Sequence, residues 1–152
     1  MHLVRDLAAY EREPDAVRAT EDHFRAALFP DDAAPTAFCH VACVHEDGDE
    51  QVVGLAVWFL SFSTWTGTNG IWLEDLFVLP EFRGLGLGRA LLATLAGICT
   101  ERGYHRLEWW VLDWNAPSIA FYESIGARAQ DEWTRYRLDG EALTALQSPG
   151  SR

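Results

Sequence analysis

The spacing of hydrophobic residues changes along the chain, and each spacing predicts a different element. Helical periodicity predicts two short amphipathic helices at residues 3–10 and 15–28. Two β-rich runs follow at residues 37–44 and 52–62, and the polar, glycine-bearing segment between them is typical of a hairpin. A third run at residues 71–79 follows another turn sequence. These three strands are expected to form an antiparallel meander.

The pattern changes after Pro80, where three glycines lead into a predicted helix at residues 89–102 that ends at Gly103. The later predicted elements are a strand at 106–112, a short helix after Asn115 that ends at Gly126, a strand at 133–138 and a helix at 141–147. A meander followed by alternating strands and helices predicts an α/β fold with a mixed sheet and a helical crossover between parallel strands. We expect a single domain at residues 1–147 and a disordered tail at residues 148–152.

The charge of the chain is strongly negative, with 12 Lys and Arg residues against 23 Asp and Glu residues and a formal net charge of -11 at pH 7. We therefore expect neither nucleic acid nor a membrane surface as a partner, because both are anionic. All 12 basic residues are arginine, which excludes a lysine Schiff base and a Walker-type phosphate loop. The chain starts without the apolar stretch of a signal peptide, and its cysteines lie in apolar runs, so we expect a cytoplasmic location.

Cysteines and histidines cluster at Cys39, His40, Cys43 and His45. On a strand, the two cysteines are four residues or about 13 Å apart, which is too far for one zinc ion without a bend. We therefore expect no metal site.

Three glycines, Gly84, Gly86 and Gly88, lie between a predicted strand and a predicted helix. Backbone amides in such a loop favour a phosphate group. The spacing does not fit the dinucleotide fingerprint, because its final glycine position falls on Arg89 or Leu91. Taken alone, the loop is either a phosphate-binding loop or a glycine-rich turn without a ligand.

Two segments together resemble a known family. Residues 73–78 and 80–88 resemble the acetyl-CoA-binding segment of the GCN5-related N-acetyltransferases (GNAT), whose pattern is Arg/Gln-x-x-Gly-x-Gly/Ala, and residues 114–122 resemble the second cofactor segment. Both are most similar to the diamine (spermidine/spermine) acetyltransferase group. The resemblance implies the GNAT fold, acetyl-CoA as cosubstrate and a homodimer. The strand that usually precedes the first helix of this family is not found in the sequence. Either the start of the protein lies upstream, or the sheet has lost an edge strand and residues 37–44 are exposed for pairing.

The resemblance also implies roles for individual residues. Tyr122 matches the family tyrosine that protonates the departing thiolate, and Glu74 is placed to accept the amine proton through water. The alternatives are a packed helix tyrosine and a carboxylate satisfied by a backbone amide or an arginine. The implied cofactor-binding residues are Leu76, Phe77, Val78, Arg83, Gly84, Leu85, Gly86, Leu87, Gly88, Arg89, Asn115 and Ser118. The candidate substrate-binding residues are Tyr10, Glu11, Glu74 and, because an aromatic ring can hold a cation, Trp65.

Glu74 and Asp75 interrupt an otherwise apolar strand. Neighbours on a strand point to opposite faces, so we expect these carboxylates to act separately and Asp75 to be structural. Three of the implied cofactor contacts have a simpler alternative. Arg83 and Arg89 could be the solvated ends of a turn, and Asn115 could be a helix cap.

These residues predict an N-acetyltransferase that moves acetyl from acetyl-CoA to a primary amine by direct attack. The acidic balance of the chain favours a small cationic substrate, such as a diamine, a polyamine or a lysine-like amino acid. The alternative is an acyl-CoA-binding sensor with the same fold and no turnover.

Overall fold

A computed structural model describes residues 1–46 and 48–147. The chain divides into two units, Met1–Trp110 and Val111–Arg152. The first unit contains α1 (His2–Tyr10), a 3-10 turn (Pro14–Ala16), α2 (Glu21–Leu28), β1 (Phe38–Glu46), β2 (Asp49–Ser63), β3 (Thr68–Val78), a second 3-10 turn (Pro80–Phe82), α3 (Leu87–Arg102) and β4 (Leu107–Glu108). The second unit contains α4 (Ala116–Ser124) and α5 (Gly140–Gln147). The predicted tail at residues 148–152 lies outside the described residues.

The sheet of the first unit has the strand order β1-β2-β3-β4. Its first three strands pair antiparallel and β4 pairs parallel to β3, which confirms the predicted meander and mixed sheet. Within the described part of the chain, α1 is the first element and β1 forms one edge of the sheet. None of the described helices is long and apolar enough to cross a membrane.

Each face of the sheet packs against helices. On one face, Leu3 of α1 is buried with Leu55, Val57 and Phe77. Trp58 and Leu73 are opposite each other in the register and point to the other face, because residues alternate along β2. There they are buried together with α3, whose buried residues are Leu91, Leu92, Leu95 and Cys99. The predicted end of α3 at Gly103, which has a φ of 67°, is confirmed.

Several predicted boundaries in the first unit differ from the structure, most of all the start of α2. Helix α2 begins at Glu21, not at residue 15, because the Thr20 hydroxyl accepts from the His23 amide and the His23 side chain accepts from the Thr20 amide. The hairpin loop is shorter than predicted, since pairing continues to Glu46 and Asp49.

Two predicted strands differ from the structure more strongly. The strand predicted at residues 106–112 is reduced to β4, because only Leu107 and Glu108 pair with β3. The strand predicted at residues 133–138 is not formed, and its side chains are exposed. Apolar alternation marks a segment that suits a strand, but a strand forms only where a neighbour takes up its backbone hydrogen bonds.

Candidate active site

The glycine loop turns sharply into α3. Gly84 and Gly86 have φ values of 80° and 83°, a left-handed conformation that glycine adopts without steric cost. Gly86 is the N-cap of α3, and the first helical hydrogen bond runs from the Ala90 amide to the Gly86 carbonyl at 2.9 Å. The amides of residues 87–89 therefore lie at the open, electropositive end of a helix. This confirms the predicted strand–glycine loop–helix arrangement, with the helix two residues longer than predicted.

Arg83 and Arg89 have different surroundings. The Arg83 Nε donates to the Val78 carbonyl at 3.0 Å, and its guanidinium lies 4.7 Å from the centre of the Tyr10 ring. It lies 5.6 Å from the Phe77 ring. Arg83 thus joins α1, the end of β3 and the glycine loop, whereas Arg89 is exposed in the first turn of α3.

The end of β3 has a strand on only one side. The Leu79 amide donates to the Val53 carbonyl of β2 at 2.9 Å. Successive N–H groups alternate along an extended chain, so the amides of Leu76 and Val78 point to the opposite edge. Among the described residues, β4 pairs on that edge only as far as Trp72. β3 and its parallel neighbour β4 therefore diverge before Leu76.

A β-bulge brings Glu74 and Asp75 to the same face of the sheet. Trp72 is opposite Phe59 and Asp75 is opposite Val57, so Glu74 has no partner in β2. Because Phe59 and Val57 share a face, Trp72 and Asp75 share it too. The Trp72 Nε1 donates to the Glu74 Oε2 at 3.0 Å, which places Glu74 on this face as well. The prediction that the two carboxylates point to opposite faces was wrong, because the bulge breaks the alternation.

Electrostatics couple the two carboxylates to the end of α1. Burial, followed by the negative charges of Glu74 and Glu11, raises the pKa of Asp75 from 3.8 to about 6. Burial also raises the pKa of Glu11, which directly follows Tyr10 at the C-cap of α1. The ion pairs of the described residues include His45 with Glu50 and Arg106 with Glu108, neither of which involves these acids. Burial and mutual repulsion thus act on these carboxylates, and we name Glu11, Glu74 and Asp75 the acidic cluster.

The remaining cofactor candidates lie in the second unit. Asn115 is buried and caps α4, with its Oδ1 accepting from the Ser118 amide at 3.4 Å. This confirms the predicted cap. Tyr122 is partly buried on α4, and its ring centroid lies 5.4 Å from that of Phe121. The catalytic role of Tyr122 stays a prediction.

The candidate residue Trp65 lies away from the acidic cluster. Trp65 is 88% exposed in the turn between β2 and β3. Glu74 lies six residues beyond the start of β3 at Thr68, so about 20 Å of strand separates the turn from the acidic cluster. Sequence reasoning missed Trp72. Its position two residues before Glu74 on a predicted strand indicates that both side chains lie on the same face.

Comparison with known proteins agrees with this geometry. The profile of the Acetyltransferase (GNAT) family matches residues 4–127. The chain belongs to the GNAT family. It is 37% identical over 153 residues to a thialysine N-epsilon-acetyltransferase from Bos taurus, covering 96% of this chain and 88% of that protein. It is 30% identical to a human spermidine/spermine N(1)-acetyltransferase-like protein 1, covering 94% of this chain and 21% of that protein.

A solved structure supports the fold of this GNAT protein. An integron cassette protein from V. cholerae superposes with a TM-score of 0.75 at 27% identity, covering 94% of this chain and 86% of that chain. The match to the family, the identity to named N-acetyltransferases and the observed sheet confirm the predicted fold and show that the protein is an N-acetyltransferase.

Proposed function

We propose that this GNAT protein transfers the acetyl group of acetyl-CoA to a primary amine of a small cationic molecule, namely a diamine, a polyamine or a lysine-like amino acid. The observation that carries the proposal is the acidic cluster. A bulge gathers two carboxylates on the face of the sheet that packs against α1, and a third carboxylate at the end of α1 interacts with them electrostatically. A substrate with a second ammonium group would neutralise this charge while its neutral amine reacts.

The acidic cluster favours a cation because its own charges repel one another. Asp75 is partly buried, and its carboxylate has neither an ion pair nor a side-chain hydrogen bond within the described residues. A buried charge without a partner destabilises the protein unless a ligand compensates it. The relative named for thialysine is consistent with an amine of this kind.

The glycine loop supports the choice of acetyl-CoA as the acetyl donor. In the bound state, the amides of Gly84 to Gly88 and the charge of Arg89 would hold the pyrophosphate. The left-handed glycines leave open space there, since nothing lies within 4 Å of a Cβ built at Gly84 or Gly86. We assign Arg83 to holding the loop in place, because its Nε already binds the Val78 carbonyl. Leu85, Leu87, Phe77, Asn115 and Ser118 stay candidates for contacts to the cofactor.

In the proposed reaction, the neutral amine attacks the thioester carbonyl and forms the C–N bond. The amides of Leu76 and Val78 would donate to the oxyanion as it develops. The C–S bond then breaks, Tyr122 gives its proton to the thiolate, and Glu74 takes the surplus amine proton through water. The products are an N-acetyl amine and the free thiol of CoA. Glu74 then releases its proton to solvent and Tyr122 takes one up, so no net proton is consumed.

The experiment is a thiol-release assay with acetyl-CoA and matched amines: a diamine, the monoamine of equal length and the corresponding amino alcohol. We expect the diamine to have the highest kcat/KM, by on the order of tenfold or more, because a single charge pair in a partly desolvated site contributes about 1.4 kcal/mol or more. Equal values for all three would refute the cationic specificity. Acetyl-CoA binding without release from any amine would favour the sensor.

We also infer that the protein is a cytoplasmic homodimer. Two surfaces support the dimer: the edge of β1, and the exposed apolar side chains of the C-terminal segment, which include Trp133, Tyr136, Leu143 and Leu146. Sedimentation equilibrium at micromolar concentration should give twice the mass of the chain. A monomer mass would contradict the inference without affecting the proposed reaction.

A further inference from the structure

The side chain of Trp72 is tied to the acidic cluster by a hydrogen bond. Its indole Nε1 donates to the Glu74 Oε2 at 3.0 Å. Both residues lie on the same face of β3, where the bulge leaves Glu74 without a partner on β2. The exposed Glu74 side chain would otherwise be free to sample several rotamers. The indole donor thus restricts a carboxylate that the sheet itself does not hold.

Packing fixes the Trp72 ring. The ring of Trp110 meets it edge-on, with the centroids 4.6 Å apart at 77°. The ring of Phe59, its cross-strand neighbour, lies at 6.4 Å and 35°. Such aromatic contacts stabilise one ring orientation. The direction of the indole N–H is therefore set by neighbouring rings, before any substrate binds.

The chemistry of an indole suits this task. An indole N–H is a donor only and carries no charge. It therefore orients the Glu74 carboxylate without neutralising it, whereas an arginine in the same place would cancel the charge that attracts a cation. The bond occupies Oε2 and leaves Oε1 available for an ammonium group or a bridging water.

We propose that Trp72 is a positioning residue, which holds the Glu74 carboxylate in the orientation that receives the amine. This inference rests on the proposed function for the identity of the substrate. The hydrogen bond between the two residues is independent of that function.

The first test is Trp72→Phe, which keeps an aromatic ring and removes the N–H. We expect kcat/KM for the amine to fall about tenfold, because a hydrogen bond to a charged group contributes about 1.5 kcal/mol or more, while KM for acetyl-CoA stays the same. In a Glu74→Gln background the same change should have little further effect, since both act on one carboxylate. The matched control is Trp58→Phe, which removes the indole bond to His40 Nδ1 (3.1 Å) on the other face of the sheet and should leave the amine kcat/KM unchanged.

The second test reads the indole directly by NMR. The ¹H–¹⁵N indole resonance of Trp72 is assigned by its loss in Trp72→Phe, and it should shift in Glu74→Gln and on addition of a diamine to the wild-type protein. A resonance that moves in neither case would overturn the inference, whether or not the protein turns over. Unchanged amine kcat/KM in a folded, active Trp72→Phe protein would also overturn it. A wild-type protein that is inactive with every amine would refute the proposed function instead, and the Glu74→Gln shift would still decide the role of Trp72.

Discussion

Replacing Asp75 with asparagine removes a partly buried negative charge and keeps nearly the same shape. Burial and two neighbouring carboxylates raise the pKa of Asp75 from 3.8 to about 6 in the folded protein. At about 1.36 kcal/mol per pKa unit, the ionised side chain lowers the free energy of unfolding by up to about 3 kcal/mol. Solvent access to the partly buried group makes this value an upper bound. We therefore expect Asp75→Asn to be more stable than the wild type at neutral pH.

The raised pKa of Asp75 determines how the free energy of unfolding changes with pH. Between about pH 4 and pH 6, the folded protein binds more protons at Asp75 than the unfolded chain, so the pKa difference makes the free energy of unfolding fall as pH rises. The cost is absent below about pH 4 and complete above about pH 6. The stability gained by Asp75→Asn should therefore be small at pH 4 and largest at pH 7 to 8. Urea unfolding followed by circular dichroism measures it.

Asp6→Asn is the control, because Asp6 lies exposed on α1 and its replacement should change stability by no more than about 0.5 kcal/mol. An Asp75→Asn gain that is equal at pH 4 and pH 8, or absent at pH 8, would refute the reasoning. The same variant should bind a cationic amine more weakly, and the fall of amine kcat/KM below about pH 6 should be smaller than in the wild type. We expect Asp75→Asn to be more stable and less active than the wild type, because the charge that destabilises the free protein binds the substrate.

Three further substitutions test other parts of the site and fold. Gly88→Ala places a methyl group in the first turn of α3 and should weaken acetyl-CoA binding, which calorimetry measures. The control is Gly97→Ala in the same helix, where nothing lies within 4 Å of the added Cβ, and it should leave binding unchanged. Equal affinities of the two variants would contradict the pyrophosphate assignment. Tyr122→Phe should lower kcat on the order of a hundredfold with little change in acetyl-CoA affinity, and near-normal single-turnover rates would leave Tyr122 a packing residue. Gly54→Ala should destabilise the fold by about 1–3 kcal/mol in urea, because its Cβ would lie 3.0 Å from the Phe77 carbonyl oxygen; unchanged stability would show that β2 and β3 relax apart.

Local sequence signals predicted the parts of the site that depend on local geometry. Three glycines before a helical pattern predicted the turn at Gly84 and Gly86, and the Asn115 cap followed from its position before a helix with proline in the first turn. These features are formed by residues adjacent in the chain. Their signals therefore lie within a few letters of sequence.

The features that sequence reasoning missed depend on pairing between distant segments. The bulge at Glu74 exists because β2 and β3 shift register between Val57 and Trp58. The sequence of β3 alone does not indicate that shift, so the shared face of Glu74 and Asp75 could not be predicted. The same reason explains the short β4. The residues at 106–112 suit a strand, but β3 pairs only with Leu107 and Glu108.

The most direct test of the central claim follows both products of one reaction. The protein is incubated with acetyl-CoA and a diamine, the free thiol is measured by absorbance, and the N-acetyl amine is measured by mass spectrometry. Acetyl transfer to an amine predicts catalytic release of thiol, matched one to one by N-acetyl diamine and abolished when the amine is omitted. Bound acetyl-CoA with no N-acetyl product from the diamine, the polyamine or the lysine-like amino acid, or thiol release without that product, would contradict the account.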